Sequence, residues 1–174
     1  MRVLITAGPT YEPIDPVRFI GNRSSGQMGA ALATAAVEAG HEVTLILEPV
    51  TAAMPQDPRI RRVDIFSSRD LLDAVLREFP SHDLLIMAAA VADFRPKQVR
   101  TEKAERGGTM TIELEATEDI VAVGRERGYQ RLRLDTIGGK MHQALALYRS
   151  MGFVEIPPYY ASPIPDTAYL ELVL

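Results

Sequence analysis

Between Asp83 and Val91 every position after the first is apolar. The run falls well short of the roughly 20 residues that cross a membrane. A strand this apolar must be covered on both faces, as the central strands of parallel sheets are. The rest of the chain supplies the cover. Val3–Ala7 is a second apolar run and ends in Gly8-Pro9-Thr10, a strand entering a turn. Glu42–Leu47 and Ile60–Phe66 read as two more strands. Ala30–Glu38 is alanine-rich, follows Arg23-Ser-Ser-Gly-Gln-Met-Gly29 and closes at Gly40, which predicts a helix with a serine at its start and a glycine at its end. Ser67–Phe79 puts Leu71, Leu72, Val75, Leu76 and Phe79 on one helical face. Strand–helix–strand alternation predicts an α/β fold: a Rossmann-like, mostly parallel sheet flanked by helices.

The connections read differently. Tyr11–Asn22 contains Pro13 and Pro16 and is expected to be a loop with at most a helical turn. Pro49–Pro58 is a proline-rich loop, and Asp93–Gly108 is polar and reads as a mobile one. Met110–Glu115 alternates like a half-exposed strand, and Thr117–Glu126 reads as a helix capped by Thr117. Arg131–Leu134 is then a strand and Lys140–Met151 a helix. Phe153–Ile156 and Ala168–Leu174 form a C-terminal antiparallel hairpin across the rigid turn Pro157–Pro165. At 174 residues the chain is long enough for one good core. A single α/β domain over 1–174 is expected, with 122–174 completing the sheet.

Composition removes several classes of function. With no cysteine there is no disulfide framework, no cysteine-ligated zinc and no thiol nucleophile. The formal net charge is −4 and Lys and Arg form no dense run, which argues against a nucleic-acid partner. Arg125, Arg127, Arg131 and Arg133 are diluted by Glu126 and Asp135. The first residues read as a strand rather than a signal peptide, so a cytoplasmic protein with no membrane partner is expected.

In a sheet of this kind ligands bind at the carboxyl edge of the strands. Gly8 lies in the turn after the first strand, and Gly26 and Gly29 lie at the start of the first helix. There, unpaired N–H groups and the helix dipole favour an anion. Ser24 and Ser25 add hydroxyls, and Asn22 an amide. The spacing is neither the Gly-x-Gly-x-x-Gly fingerprint nor a Gly-x-x-x-x-Gly-Lys-Ser/Thr loop. The same glycines could simply let the helix pack tightly, so the residues alone imply an anion-binding edge and no more.

The run Ile5-Thr-Ala-Gly-Pro-Thr-Tyr-Glu-Pro-Ile-Asp-Pro-Val-Arg-Phe-Ile-Gly-Asn-Arg-Ser-Ser-Gly-Gln-Met-Gly29 closely resembles the opening of phosphopantothenate–cysteine ligases, which bacteria often fuse to a flavin-dependent decarboxylase. Met87-Ala-Ala-Ala-Val-Ala-Asp93, followed by Phe94-Arg-Pro-Lys97, resembles that family's second motif, and the resemblance covers residues 1–121. It implies a ligase of coenzyme A biosynthesis. In that reaction the carboxylate of 4′-phosphopantothenate attacks the α-phosphate of CTP, or of ATP in some members, with Mg²⁺. Cysteine's amine then attacks the acyl-nucleotide. Carried over by motif, Asn22 would contact the acyl-nucleotide and Lys103 would be the first lysine of a mobile lid. Gly8, Ser24, Ser25 and Gly26 would hold phosphate. Ala89, Ala90, Asp93, Asp119 and Ile120 would line the nucleotide pocket. No protein metal ligand is implied. The family is dimeric, which implies a homodimer.

The chain departs from the family pattern in two places. The lid reads Lys103-Ala-Glu-Arg106, with Glu105 where the family carries lysine, and Glu118 replaces a proline. After Val121 the family's next motifs are absent. Glu126-Arg-Gly-Tyr-Gln-Arg-Leu-Arg-Leu-Asp-Thr136, Ala144-Leu-Ala-Leu-Tyr-Arg-Ser-Met-Gly-Phe153 and Pro157-Pro-Tyr-Tyr160 resemble instead the last third of a GCN5-related N-acetyltransferase, over residues 126–174. There the tyrosine at Tyr148 often protonates the departing thiolate, but that family's pyrophosphate loop is missing. The expectation is a chimera with three functional alternatives: a nucleotide-binding ligase-like domain, a non-catalytic natural or engineered hybrid, and an N-acetyltransferase.

Overall fold

The computed structural model describes residues 1–48, 50, 53–118, 123, 125–126, 128, 130–139, 141–158 and 165–174, with Asp135 and Ile137 described by backbone alone. The chain forms two compact units, Met1–Glu118 and Asp119–Leu174.

The first unit is built on a four-stranded parallel sheet. Its strands are β1 (Arg2–Ala7), β4 (Glu42–Leu47), β5 (Ile60–Asp64) and β6 (Leu84–Met87), in spatial order β5-β4-β1-β6. β1 pairs with β4 from Arg2↔Glu42 to Ala7↔Leu47, and with β6 from Val3↔Leu84 to Thr6↔Met87. Both β1 and β4 bury every residue after the first, as their apolar runs require. Leu4 and Ile46 form a core with Ile65 and with Leu71, Ala74 and Val75 of helix α2 (Ser68–Glu78). Helix α1 (Gln27–Glu38) packs at Ala7, three residues on from Leu4 and so on the opposite face. A Cβ at Gly29 would fall 2.2 Å from the Ala7 Cβ, so only glycine lets α1 lie this close to β1. The α/β architecture with flanking helices is therefore the one expected.

Helix α2 begins as its sequence dictates. The Ser67 hydroxyl accepts from the Asp70 N–H, and the Asp70 carboxylate accepts from the Ser67 N–H, a reciprocal cap. Helix α1 begins differently from expectation. Its N-cap is Gly26, at φ 78°, and no side chain caps it.

The segment expected to be a loop over Tyr11–Asn22 is a hairpin, β2 (Tyr11–Pro13) against β3 (Phe19–Gly21). Its turn is set by Asp15, whose Oδ1 accepts the N–H groups of Val17 and Arg18 at 2.8 Å each. A two-stranded ribbon pairs each strand on one side only, which is where proline is tolerated. Asp93–Gly108 also contains structure. Strand β7 (Phe94–Pro96) pairs antiparallel with β8 (Leu114–Ala116). The Thr117 hydroxyl donates to the Ala92 carbonyl at 2.7 Å. Half of the helix expected over 117–126 lies outside the described residues.

The second unit has its own sheet, in order β10-β11-β9. Strands β9 (Arg131–Ile137), β10 (Val154–Glu155) and β11 (Thr167–Val173) are antiparallel, and helix α3 spans His142–Ser150. The C-terminal antiparallel strands are as expected. Among the described residues its strands pair with one another. β9 binds β11 along seven residue pairs, which satisfies one edge of each. Leu145, Phe153, Leu170 and Leu172 are its buried core, and Tyr148 packs against them, 5.7 Å from the Phe153 ring. Lys140 and most of the Pro157–Pro165 turn lie outside the described residues.

Candidate functional site at the carboxyl edge of the sheet

In the order β5-β4-β1-β6 the connections run to opposite sides of β1, so the crevice lies between the carboxyl ends of β1 and β6. Beyond these ends the two chains run on side by side. The Ala90 N–H donates to the Gly8 carbonyl at 2.7 Å, and the Thr10 N–H donates to the Ala90 carbonyl at 3.2 Å. Here the chain has left the regular ladder, and buried amides need other partners. Thr6 and Thr10, both wholly buried, supply them. The Thr6 hydroxyl accepts from the N–H groups of Ala88 and Ala89 at 3.2 Å, and Thr10 Oγ1 accepts from Ala92 at 2.9 Å.

Asn22, at the exit of the hairpin, closes this edge. Its side-chain amide donates to the Val91 carbonyl at 2.8 Å and to that of Ala90 at 3.4 Å. Its Oδ1 takes no hydrogen bond from the described residues, and the side chain is exposed. Glu12, also from the hairpin and buried, accepts the Ser68 N–H at 2.8 Å and so ties β2 to the first turn of α2. Above it Tyr11, Phe19 and Phe66 cluster with ring centroids 4.2 to 6.2 Å apart.

The start of α1 completes the edge. Ala30 is the first residue whose N–H bonds back along the helix, to Gly26. The first turn carries no acidic side chain, and the Ser25 hydroxyl sits 3.5 Å from the Gln27 N–H. Gly8 and Gly26 both have positive φ and both face Val50. A Cβ at Gly8 would fall 2.7 Å from Val50 Cγ1, and one at Gly26 would fall 3.0 Å from Val50 Cγ2. Val50 thus lies over the two glycines assigned to phosphate. Gly29 serves helix packing instead.

The segment that the resemblance makes a lid is held to the hairpin at Ala104. The Ala104 N–H donates to Asp15 Oδ2 at 3.1 Å, while Arg18 donates to the Ala104 carbonyl from both guanidinium nitrogens at 3.3 Å. Arg18 also pairs with Asp15 at 2.8 Å. Burial would raise the Asp15 carboxyl, but the N–H groups of Val17, Ala104 and Arg18, with the Arg18 charge, outweigh it and hold the pKa at about 2. Lys103, next to this clamp, is exposed. Glu118, the departure from the family's proline, ends near β7. Arg95 Nη1 donates to it at 3.0 Å and Arg69 at 3.2 Å, while Arg95 also binds Glu115.

The structure therefore brings Gly8, Asn22, Gly26, Ala89 and Ala90 to one edge, with Ser25 beside Gly26 and Ser24 half-buried before it. Asp93 lies three residues beyond Ala90. Its carbonyl accepts the Thr117 N–H at 3.0 Å and its side chain is exposed. Asp119 and Ile120 lie outside the described residues. Among the described residues no three His, Cys, Asp or Glu side chains converge on a cation, and no helix is long and apolar enough to cross a membrane. Sequence reasoning missed Thr6, Thr10, Glu12, Asp15 and Arg18. Of these, Thr6 alone carries a signal, as a hydroxyl within the apolar run Val3–Ala7.

The chain matches the DNA/pantothenate metabolism flavoprotein C-terminal domain over residues 1–134, which runs beyond the Val121 limit of the motifs into β9. It is 49% identical over 134 residues to the coenzyme A biosynthesis bifunctional protein CoaBC of Mycobacterium bovis, covering 75% of this chain and 32% of that protein. It is 52% identical over 122 residues to a cysteine/cysteine sulfinic acid decarboxylase from an unknown prokaryotic organism, covering 70% of this chain and 34% of that protein. The chain thus spans about a third of the length of these relatives. Among solved structures it resembles the C-terminal domain of a CoaBC protein with a TM-score of 0.62 and 44% identity, over 73% of this chain and 59% of that one. On the fold, the motifs and these matches together, the chain belongs to the family of the DNA/pantothenate metabolism flavoprotein C-terminal domain.

Proposed function

We propose that the Met1–Glu118 unit is the nucleotide-binding part of a ligase that joins 4′-phosphopantothenate to cysteine through an acyl-nucleotide, in cytoplasmic coenzyme A biosynthesis. The observation that carries this is the meeting of Gly8, Asn22, Gly26 and Ala90 at the switch point between β1 and β6. A nucleoside triphosphate, CTP or ATP, would suit a helix N-terminus with no side-chain cap, no acid in its first turn and a neighbouring amide. Ser24 and Ser25 would add hydroxyl donors to the phosphates. Asn22 Oδ1 would take a hydrogen bond from the acyl-nucleotide while its amide holds the Ala90–Val91 backbone. Ala89, Ala90, Asp93, Asp119 and Ile120 would flank the base and ribose. Lys103, on the clamped lid, would bring positive charge to the phosphates and help exclude water.

Bound Mg²⁺ would neutralise phosphate charge. The described side chains offer no three-ligand site for it, so it would arrive on the nucleotide. The homodimer of the resemblance belongs to the same proposal.

The test is pyrophosphate release with 4′-phosphopantothenate, cysteine, Mg²⁺ and either CTP or ATP. Turnover that falls by about 10²-fold or more in Asn22→Ala supports the ligase. Nucleotide binding without turnover would favour the non-catalytic hybrid. The acetyltransferase resemblance of the tail has one supporting feature, its strand–helix–strand–strand order. With Tyr148 packed against Phe153 in a core, it would concern architecture and not acetyl transfer. Coenzyme A affinity dependent on Tyr148 would reverse that.

A further inference from the structure

At the amino edge of the parallel sheet, the end away from the candidate nucleotide site, three neighbouring strands start with charge. β1 begins at Arg2, β4 begins at Glu42, and Arg59 and Arg61 flank the first residue of β5. Arg2 lies opposite Glu42, and Thr44 opposite Arg61, in the sheet register. Residues two apart on a strand share a face, so these side chains all belong to one face of the sheet. It is the face on which Leu4 and Ile46 pack against α2, at the level where that helix ends in Glu78.

A chain of hydrogen bonds fixes part of this set. His82 Nδ1 lies 2.7 Å from the Glu78 carbonyl, which only accepts, so Nδ1 carries the proton. In the neutral ring Nε2 then accepts from the hydroxyl of buried Thr44 at 2.8 Å. Thr44 Oγ1 in turn accepts from Arg61 Nη2 at 3.3 Å, and the same nitrogen pairs with the Glu78 carboxylate. Nε and Nη1 of Arg61 have no partner among the described residues. Arg59 is locked by Asp57 and by the Val37 carbonyl, the latter at 3.0 Å. The Arg2 guanidinium has no hydrogen bond or ion pair among the described residues, although its charge reaches Asp83.

Arg2, Glu42, Thr44, Arg59, Arg61 and His82 line a cavity of about 420 Å³. Ligand pockets run to about 300–1,000 Å³. The acids that hold the arginines, Asp57 and Glu78, are not in its wall. Of the charged side chains that are, three are guanidinium groups and one, Glu42, is a carboxylate. A guanidinium held by an acid through one nitrogen keeps its other N–H groups in a fork that matches the oxygens of a phosphate or carboxylate.

We propose that this cavity binds a small, multiply charged anion, a phosphate ester or a polycarboxylate, through Arg2 and Arg61, with Arg59 adding positive charge. β1 is six residues long, so the cavity lies about 20 Å from the candidate nucleotide site at the other end of the strand. It is a second site, and it does not rest on the nucleotide-binding proposal.

The experiment follows backbone amide shifts of the full chain during titration with pyrophosphate and, separately, with citrate. It is run in about 0.15 M NaCl, where loose pairing between surface charges is largely screened. The amides of Arg2, Thr44, Arg61 and His82 should move and saturate. Arg2→Ala should weaken this binding about tenfold, the loss expected for a hydrogen bond between charged groups. Glu42→Gln removes the carboxylate from the wall and should tighten binding about twofold or more. Both side chains are exposed and neither holds another residue in place, so both variants should fold. Saturation with either anion supports the site and names its class. Shifts confined to Gly8, Gly26 and Gly29 would put the anion on the helix edge, overturning the cavity while leaving the nucleotide proposal standing. The absence of any saturable shift would also overturn it, as would wild-type affinity in both variants.

Discussion

Asp15 Oδ2 accepts the main-chain N–H of Ala104 at 3.1 Å, which ties the turn of the first hairpin to the segment proposed as a lid, across 89 residues of sequence. Arg18 holds the carbonyl of the same residue, so both backbone polar groups of Ala104 are fixed from the hairpin. Asp15→Ala is expected to raise hydrogen exchange at the Ala104 amide at least tenfold while leaving the α2 amides protected. If Lys103 works from this lid, turnover should fall in Asp15→Ala by a factor similar to that in Lys103→Ala. Unchanged exchange at Ala104 would mean that the clamp does not hold the segment.

The same carboxylate gives a pH dependence. Its pKa is depressed from 3.8 to about 2, so the folded state favours the ionised form. The stability Asp15 contributes is present above pH 3.8 and is lost as pH falls from there to about 2. Acid titrations should therefore show the wild type losing stability over that window and Asp15→Asn losing less. Parallel curves would contradict this.

Gly29→Ala and Gly40→Ala separate packing from backbone strain. A Cβ at Gly29 meets the Ala7 Cβ at 2.2 Å, and relieving that overlap should cost about 1–3 kcal/mol, or more if α1 cannot shift. Gly40 has φ 83° with open space around it, so alanine there pays only the left-handed penalty of about 1–2 kcal/mol. Denaturant melts should find both destabilised and find the Gly29 loss reduced by a compensating Ala7→Gly. The Gly40 loss should not respond to Ala7→Gly.

Thr6→Val keeps the shape of a wholly buried side chain and removes its hydroxyl. The Ala89 N–H then loses the Thr6 oxygen as its partner, at a cost of about 1–3 kcal/mol. Because Ala89 belongs to the proposed nucleotide edge, affinity for CTP or ATP should fall along with stability. A stable variant with unchanged affinity would show that this loop needs no such support.

The sequence made the sheet legible wherever a local signal sufficed. The strand Glu42–Leu47 has the bounds its apolar run implies, and Ser67 with Asp70 announces the start of α2. The hairpin was hidden because its strands are three residues long and carry a proline, too short for a period of two to register. Asp15 and Glu12 were hidden for another reason. Their partners, Ala104 and Ser68, are distant in sequence, and nothing local marks a carboxylate as buried. The helix start misled because Ser24 and Ser25 precede a glycine whose positive φ takes over the N-cap position. The meeting of Gly8 and Gly26 at the carboxyl edge was legible from the glycines and the strand–helix order.

The central claim is that the carboxyl edge of the first unit binds a nucleoside triphosphate. Thermal unfolding with and without millimolar CTP or ATP and Mg²⁺ tests it most directly, on the wild type and on Asn22→Ala. At about 100 times its dissociation constant the ligand should add about 2.7 kcal/mol to the wild type, a clear rise in Tm, and the rise should vanish in Asn22→Ala. An unchanged Tm with both nucleotides would mean that the edge is kept as architecture and not as a binding site.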